Sequence, residues 1–361
     1  MIIYYKYRIP FSDPFTNANK TYNFREGILF RYVNDNIDIV SEAAPLPGFS
    51  DENLATVENV FSNSRADTNE FLNHVSSVKT ALQFFRDNHF PPSVSFALSC
   101  IALDLIGVRN AKELDQLKLS HASKNLTINS VVGRLENDGD IQLIKKHYQS
   151  GYRTIKLKIT SHNQRLPQFI KYASDRFPGL KFRIDANQSW PVESVADLLE
   201  SFKGLPVEYC EEPCRFETLE QISQINEHSP VPIALDESIG NIHQLKEILR
   251  TGPVKFVILK PTLLGNLFEL IETFSNENTH NIKRICTTAF ESGVGRTSVC
   301  KLAAVIGSDD MAHGLSTGTL FTTDLADSFE IRNGSMKVNN DSRWCSLFSK
   351  CNPEFLNVID I

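Results

Sequence analysis

The sequence predicts an α/β protein in which a modified TIM barrel, (β/α)7β, follows a smaller α+β domain. From about residue 126 onward, apolar segments alternate with amphipathic segments at a period of roughly 25 residues, the repeat expected of consecutive strand–helix units. Eight apolar segments are present, with seven amphipathic segments between them. Because eight parallel strands close a barrel, we expect a barrel that lacks its last helix.

The amino-terminal part has a different pattern, in which strands come before helices. Three segments rich in β-branched and aromatic residues predict strands, at residues 2–9, 27–33 and 37–40. Two prolines exclude a helix at residues 45–50, and Ser50 or Asp51 can cap the helix that follows. Three helical stretches are expected, at residues 51–62, 67–87 and 91–106. This order is typical of an α+β unit.

We therefore divide the chain into an α+β domain at residues 1–115, a barrel at 116–320 and a carboxyl-terminal segment at 321–361 that returns to the first domain. The expected barrel strands are at residues 126–132, 154–159, 182–185, 207–210, 233–235, 256–259, 285–288 and 311–315. The Asn333-Gly334 pair favours a hairpin in the last segment rather than an eighth barrel helix.

Composition narrows the function classes. Of the 361 residues, 41% are hydrophobic and 22% charged, which is typical of a globular protein. Lys and Arg number 37 against 43 Asp and Glu, so the net charge is −6. A broad nucleic-acid-binding surface needs the opposite excess, and nucleic acid is therefore not the expected partner. An anionic small-molecule ligand would require positive charge concentrated at one place.

The seven cysteines are odd in number and irregularly spaced, which predicts free thiols in a reducing compartment. Cys210 and Cys214 lack a second pair of ligands at the spacing of a zinc site. No secretory signal pattern and no uninterrupted apolar run long enough for a bilayer are seen. We expect a cytoplasmic protein with no membrane partner.

Charged residues lie at the ends of five successive predicted barrel strands. Lys156 and Lys158 are two apart, so their side chains share one face of a strand. Asp185, Glu211 and Asp236 each end one of the next three strands, and Lys260 ends the strand after those. These side chains would meet at the carboxyl-terminal mouth of the barrel, where the catalytic groups of such folds gather.

This set of residue types predicts a reaction class. Three carboxylates without His or Cys form an oxygen-only site that suits Mg²⁺ or Mn²⁺ rather than zinc. A cation there would stabilise the enolate formed when a proton is removed next to a carboxylate. Lys158 can accept that proton if burial and its neighbour Lys156 lower its pKa. Lys260 can act from the opposite side.

In type, order and spacing these residues resemble the muconate-lactonizing subgroup of the enolase superfamily, over essentially the whole chain. The resemblance implies an enolase-like fold, with an α+β capping domain over a (β/α)7β barrel. It also implies that Asp185, Glu211 and Asp236 bind Mg²⁺ and that Lys158 is the catalytic acid/base, with Lys260 as the opposing catalytic lysine.

Several segments resemble the o-succinylbenzoate synthase family within that superfamily: residues 25–29, 42–50, 258–265, 287–292 and 313–317. This resemblance implies that a small dicarboxylate, 2-succinyl-6-hydroxy-2,4-cyclohexadiene-1-carboxylate, loses water to give o-succinylbenzoate for menaquinone synthesis. Lys158 would remove the proton and assist departure of the hydroxyl group on the same face, while Lys260 stabilises the enolate.

Other residues complete the expected site. The candidates for substrate contacts are Lys156, Thr287, Gly314, Phe15 and Thr16. Asn187 and Glu237 are expected to contact the metal-ligand side chains without binding the metal themselves. The nearest alternative is an N-succinylamino acid racemase or dipeptide epimerase on the same scaffold, although Ala312-His313-Gly314 stands where such epimerases often have paired aspartates. A non-catalytic barrel would be expected to have lost a ligand or a lysine, and all five positions are filled.

Overall fold

The computed structural model describes residues 1–16, 21–117, 119, 123–133, 140–159, 165–275, 281–339 and 343–359. For Phe15, Thr16 and Gln116 only the backbone is described. All seven cysteines lie within these ranges and are buried free thiols.

The amino-terminal domain is an antiparallel sheet covered by helices. Its strands are β1 (Ile2–Thr16), β2 (Thr21–Val33) and β3 (Asp38–Ala43), with β2 between the other two. The helices that follow are α1 (Leu54–His74), α2 (Val78–Asn88), α3 (Pro92–Arg109) and the short α4 (Lys112–Gln116). Tyr4 and Phe30 from the sheet meet Phe61 of α1 in an aromatic cluster with ring centroids 4.4–5.3 Å apart, which joins the two layers.

The helix boundaries of this domain differ from the expected ones. The predicted gap at residues 63–66 is inside α1, because that stretch contains neither glycine nor proline to interrupt a helix. The break falls instead before Ser77, whose side chain accepts the backbone N–H of Thr80 and starts α2. Asn53, rather than Ser50 or Asp51, caps α1.

In the part of the chain that the structure describes, α3 is the one helix long and apolar enough to cross a membrane. Nearly all of its side chains are buried, and it packs against β3, α2 and α4 of its own domain. A helix that is apolar on every side is typical of a protein core, which is where α3 lies.

The second domain is a parallel sheet curled into a barrel. Its seven strands follow one another in sequence order, each hydrogen-bonded to the next. After an outlying β4 (Lys124–Thr127), these are β5 (Ser130–Val132), β6 (Thr154–Lys158), β7 (Lys181–Asp185), β8 (Val207–Glu211), β9 (Ile233–Leu235), β10 (Phe256–Leu259) and β11 (Lys283–Cys286). The connecting helices are α5 (Asp140–Gln149), α6 (Leu166–Arg176), α7 (Val195–Glu200), α8 (Leu219–His228), α9 (Ile242–Thr251), α10 (Pro261–Leu264), α11 (Leu267–Ser275) and α12 (Gly293–Ile306).

The eighth strand position is filled by a short segment. His313 makes a parallel bridge to Ile128, and Gly314 makes one to Thr287, so residues 313–314 close the gap between the first and last strands. The predicted strand at 311–315 is thus reduced to two isolated bridges, and the predicted strand at 126–132 is divided into β4 and β5. No α-helix follows α12 in the described residues, in agreement with the predicted (β/α)7β arrangement.

The carboxyl-terminal residues contact both domains. Strands β12 (Ile331–Arg332) and β13 (Ser335–Val338) form a hairpin that pairs with β4. The turn between them places Asn333 and Gly334 at φ 50° and 67°, a conformation that Asn and Gly tolerate best. Farther on, β14 (Ser346–Leu347) pairs with β3 and β15 (Leu356–Val358) pairs with β1, which extends the amino-terminal sheet to five strands.

Candidate active site

Three of the predicted residues form a row across the barrel. Lys158 is the register partner of Asp185, and Asp185 is the register partner of Glu211, so β6, β7 and β8 end side by side. Asp236 directly follows β9, and Lys260 directly follows β10. The carboxyl ends of parallel strands meet at one rim, which brings all five residues to the same mouth.

Two lysines hold the three carboxylates. The Nζ atom of Lys156 lies 2.9 Å from Oδ2 of Asp185 and 2.7 Å from Oε1 of Glu211. The Nζ atom of Lys260 lies 2.6 Å from Oδ2 of Asp236. The carboxylate side chains are only 1–7% exposed, so these are buried ion pairs in which each charge depends on its partner.

The lysines differ in their protonation behaviour. Burial lowers the pKa of Lys158, and the nearby positive charges of Lys156 and Lys260 lower it further, against the opposing effect of Asp185. Burial acts the same way on Lys156 and Lys260, but the carboxylates beside them outweigh it and raise both pKa values above the ordinary lysine value. Lys158 is therefore the lysine of the three best suited to accept a proton.

The carboxylates have the donor chemistry of a hard-metal site. Burial raises the pKa of Glu211 well above its ordinary value, and Asp185 and Asp236 add to the rise despite Lys156. Burial also disfavours the charge on Asp236, but Lys260 and Lys156 hold its pKa below the ordinary value. Three buried carboxylates, which offer only oxygen atoms as ligands, fit Mg²⁺ or Mn²⁺.

The arrangement of these carboxylates is not that of a ready-made metal cage. Within the described ranges, no three Asp, Glu, His or Cys side chains are grouped so that they could hold an ion as they stand. Instead, Asp185 and Glu211 turn toward Lys156, and Asp236 turns toward Lys260. To bind an ion, these carboxylates would have to interact with the cation as well as with the lysines.

Glu212 is a member of the site that the sequence reasoning missed. Its backbone adopts φ 39°, and its Oε1 accepts the backbone N–H groups of Asp236 at 2.9 Å and Ser238 at 2.7 Å. Burial raises its pKa to about 7. Glu212 thereby fixes the backbone that carries Asp236. The pair Glu211-Glu212 before a proline was visible in the sequence, but only its first member was assigned a role.

Asn187 and Glu237 contact each other beside the row. The side-chain amide of Asn187 donates to Oε1 of Glu237 at 3.0 Å, and the backbone N–H of Asn187 donates to Oδ1 of Asp185 at 3.2 Å. The structure thus brings together both residues that were expected to support the ligands.

The mouth opens into a cavity of about 580 Å³. Among the predicted residues, its lining includes Lys156, Lys158, Asp185, Asn187, Glu211, Asp236, Lys260, Thr287 and Gly314. The hydroxyl group of Thr287 donates to the carbonyl of Gly314 at 3.0 Å, and a Cβ at Gly314 would lie 2.7 Å from that hydroxyl oxygen, so this close approach requires glycine. Phe15 and Thr16 pair with Tyr22 and Thr21 through their backbones, and their side chains lie outside the described part.

Apolar residues that the sequence did not single out complete the lining, among them Phe49, Tyr209, Ile258, Ile285 and Phe290. Phe49 comes from the proline-rich loop of the amino-terminal domain, and its ring centroid lies 4.8 Å from Nζ of Lys260. Nothing in the sequence of this loop indicated which of its side chains reaches the lysine.

Comparison with known families decides the relationship. Residues 141–342, more than half of the chain, match the family described as enolase C-terminal domain-like. The chain belongs to the enolase superfamily. Residues 1–105 match a second family, described as MenC, N-terminal domain.

Curated relatives named o-succinylbenzoate synthase are similar to this chain over much of its length. An o-succinylbenzoate synthase of Pasteurella multocida is 26% identical over 305 residues, which is 83% of this chain and 84% of the relative. An o-succinylbenzoate synthase of Pectobacterium atrosepticum is 26% identical over 88% of this chain and 90% of the relative. One from Bacillus subtilis is 23% identical over 64% and 61%.

Solved structures of the enolase superfamily have the same fold. A muconate lactonizing enzyme from Pseudomonas fluorescens, complexed with muconolactone, has a TM-score of 0.82 at 19% identity, over 99% of this chain and 98% of the other. A dipeptide epimerase from Enterococcus faecalis, complexed with Mg and a dipeptide, has a TM-score of 0.78 at 17% identity, over 95% and 98%. These neighbours confirm the enolase-like fold predicted from the sequence.

Proposed function

We propose that this chain is an o-succinylbenzoate synthase, which removes water from 2-succinyl-6-hydroxy-2,4-cyclohexadiene-1-carboxylate in menaquinone biosynthesis. The observation that carries the proposal is Lys158, a half-buried lysine with a lowered pKa that is in register with Asp185 and shares the barrel mouth with Glu211 and Asp236. The names of the curated relatives and the match of the amino-terminal domain support this member of the superfamily over others.

The proposed ligands of the divalent cation, Mg²⁺ or Mn²⁺, are Asp185, Glu211 and Asp236. The support is their oxygen-only chemistry, their burial and the raised pKa of Glu211. A cation there supplies positive charge beside the substrate carboxylate as enolate charge develops. Glu212 and Asn187 keep two of these acids in place through the hydrogen bonds to Asp236 and Asp185.

Lys158 is the proposed acid/base. As a neutral amine it takes the proton next to the ring carboxylate, and the resulting ammonium then protonates the departing hydroxyl group on the same face. One side chain can perform both transfers because the two groups leave from one side of the ring. The low-dielectric surroundings that lower its pKa also strengthen its interaction with the developing negative charge.

Lys260 is the proposed electrostatic partner across the cavity. Its raised pKa keeps it an ammonium, which stabilises negative charge on the enolate. Lys156 supplies further positive charge between Asp185 and Glu211, close to the expected position of the substrate carboxylate. Together they meet the requirement for local positive charge in a protein of net charge −6.

Thr287, Gly314, Phe15 and Thr16 remain proposed substrate contacts. Thr287 and Gly314 line the cavity on the side of β11 and the closing segment.

A racemase or epimerase on this scaffold would need both Lys158 and Lys260 to exchange protons. Two features favour the synthase instead. Lys260 is tied to Asp236 and Phe49. In addition, the segment where dipeptide epimerases often carry aspartates contains His313, whose buried ring nitrogen Nδ1 accepts the backbone N–H of Cys286. Burial lowers the pKa of His313 to about 3, so this side chain is neutral.

In the test, purified protein with Mg²⁺ is incubated with the cyclohexadiene acid and, in parallel, with an N-succinylamino acid and with a dipeptide. We expect the aromatic product to appear rapidly, as measured by its ultraviolet absorbance. The optical rotation of the other two compounds should change much more slowly or not at all. Racemisation or epimerisation without aromatic product would contradict the proposal.

A further inference from the structure

A second cavity lies beside the active-site cavity, and the two share only part of their walls. It has a volume of about 440 Å³ and lies between the β1–β2 hairpin and residues 45–55 of the same domain. Its lining is mostly apolar and includes Phe11, Tyr22, Phe24 and Leu54. Leu46 and Phe290 line both cavities, so these two side chains form the partition between them.

The backbone of Phe290 has an unusual conformation. Its φ is 60°, in the left-handed region that bulky residues rarely adopt. Such a conformation persists only when the surroundings hold it, and it is concentrated at functional sites. The position of the Phe290 ring is therefore determined by its neighbours rather than by local preference.

Arg25 is the principal residue that holds this loop. It is 3% exposed, and its Nε donates to the carbonyl of Phe290 at 3.0 Å. The same guanidinium donates to the carbonyls of Ala44 at 2.5 Å and Pro45 at 2.7 Å, next to Leu46. One buried side chain thus fixes both halves of the partition relative to each other.

The barrel holds the loop from the other side. Oε2 of Glu291 accepts the backbone N–H of Ala289 at 2.7 Å, and Oε1 accepts the hydroxyl group of Thr262 at 2.5 Å. The ring of Phe290 also lies edge-on to that of Phe11, with centroids 6.4 Å apart. With contacts on each side, the backbone at Phe290 cannot shift without breaking several hydrogen bonds, and this fixed backbone holds the ring against Phe11.

We propose that Phe290 determines specificity by closing the active-site cavity toward the second cavity, and that this second cavity becomes a subsite for a longer, uncharged apolar arm when the ring is removed. The inference rests on the proposed function in one respect: the proposed function identifies the core of the substrate as a benzoate-like ring that carries an acyl arm. The wall itself follows from the two cavities and the contacts of Phe290.

The charge in the second cavity defines what it can bind. Glu52 is 8% exposed; its Oε1 accepts the backbone N–H of Ser93 at 2.9 Å, whereas its Oε2 has no hydrogen-bond partner in the part of the chain described. Two acids, Glu52 and Glu26, line this cavity against one cation, Arg25, whose guanidinium already donates to backbone carbonyls, so the lining disfavours the terminal carboxylate of a succinyl arm. It favours an aromatic or aliphatic arm, and most of all one that ends in a hydroxyl or amide donor.

The test measures binding and does not depend on turnover. Isothermal titration compares 2-succinylbenzoate with 2-(4-phenylbutanoyl)benzoate, whose arm is longer and uncharged. The variants are Phe290→Gly, which removes the ring and suits the positive φ, and Phe290→Leu, which keeps an apolar side chain of smaller size. Phe24→Ala is the matched control, because Phe24 lines the second cavity but not the partition.

We expect Phe290→Gly to bind the phenylbutanoyl compound at least roughly tenfold more tightly than the unmodified protein does, with a smaller gain for Phe290→Leu. Affinity for 2-succinylbenzoate should change less than about threefold. An unchanged ratio of the two affinities in folded protein, or an equal gain in Phe24→Ala, would overturn the inference. If Phe290→Gly does not fold, Phe290→Leu decides by the same ratio.

Failure of the proposed function has a different signature. The unmodified protein would then neither form nor bind 2-succinylbenzoate, while the shift in size preference between the variants would still be read from the phenylbutanoyl compound alone.

Discussion

Glu42, in β3 of the amino-terminal domain, accepts the backbone N–H of Gly295 at 2.8 Å, in the first turn of the barrel helix α12. The same carboxylate accepts the backbone N–H of Ser292 at 3.0 Å, the hydroxyl group of Ser292 and the hydroxyl group of Tyr7 at 2.5 Å. A buried negative charge at a helix amino terminus is favoured by the unpaired N–H groups and the helix dipole. This contact joins the amino-terminal domain to the end of the loop that carries Phe290.

Replacing this carboxylate should weaken the whole fold. In Glu42→Gln an amide NH₂ group faces backbone donors, which leaves buried groups unpaired, and we expect a loss of about 2–4 kcal/mol in the free energy of unfolding. Urea unfolding measures the change. Glu227→Gln, at an exposed position on α8, is the control and should change stability by less than about 0.5 kcal/mol. Equal stability of the two variants would contradict the role of Glu42.

The lowered pKa of Lys158 should govern the pH dependence of catalysis. Lys158 must be neutral to accept a proton, so kcat/KM should rise with pH below its pKa and level off above it, with a midpoint below the ordinary lysine value of about 10.4. Lys260→Met removes a positive charge that lowers this pKa, and the residual activity should have its midpoint at higher pH. A midpoint that moves the other way would argue against Lys158 as the base.

The affinity for the metal should depend on pH, because the metal and a proton compete for the same carboxylate. Because burial raises the pKa of Glu211, a cation that binds this carboxylate competes with a proton up to a higher pH than at an ordinary glutamate. We expect Mg²⁺ affinity, measured by calorimetry, to increase with pH, and EDTA to abolish turnover. Glu211→Gln should reduce affinity by roughly tenfold or more. Mg²⁺ affinity that is independent of pH and of Glu211 would exclude this residue as a ligand.

Asp104 should make the fold less stable as pH rises. It is a buried residue of α3 that accepts the backbone N–H groups of Trp344 and Cys345, and burial raises its pKa to about 7. The native state therefore binds the proton more tightly than the unfolded chain, whose aspartate titrates near 4. The stabilisation is complete below pH 4 and is lost as pH rises through about 7.

The corresponding measurement is urea unfolding of the unmodified protein and of Asp104→Asn at pH 5 and pH 8. Asp104 alone should account for about 2–3 kcal/mol of the decrease in stability between these values. In Asp104→Asn the decrease should be smaller by that amount, even though the variant is less stable at both pH values. An identical pH dependence in the two proteins would show that Asp104 does not titrate in this range.

The barrel and the reactive mouth could be predicted because their signals are local and periodic. Each of Asp185, Glu211 and Asp236 follows its own apolar strand, and parallel strands must bring their carboxyl ends to one rim. The gap after the eighth strand position was likewise visible as a missing amphipathic segment.

The remaining features depend on contacts between distant parts of the chain. Arg25 determines the conformation of Phe290 across 265 residues of sequence, and no local pattern carries that information. Phe49 reaches Lys260 only because two domains meet. The end of α1 was misplaced for a related reason: residues 63–77 contain no glycine or proline to mark a break, and tertiary packing together with the Ser77 cap decides where the break falls.

The most direct test of the account is the rate at which the purified protein and its Lys158→Ala variant, each with Mg²⁺, convert the cyclohexadiene acid to o-succinylbenzoate. We expect the unmodified protein to form the aromatic product and the folded variant to be slower by a factor on the order of 10³ or more. Aromatic product formed at equal rates by both proteins, or by neither, would contradict the central claim that Lys158 removes the proton in this reaction.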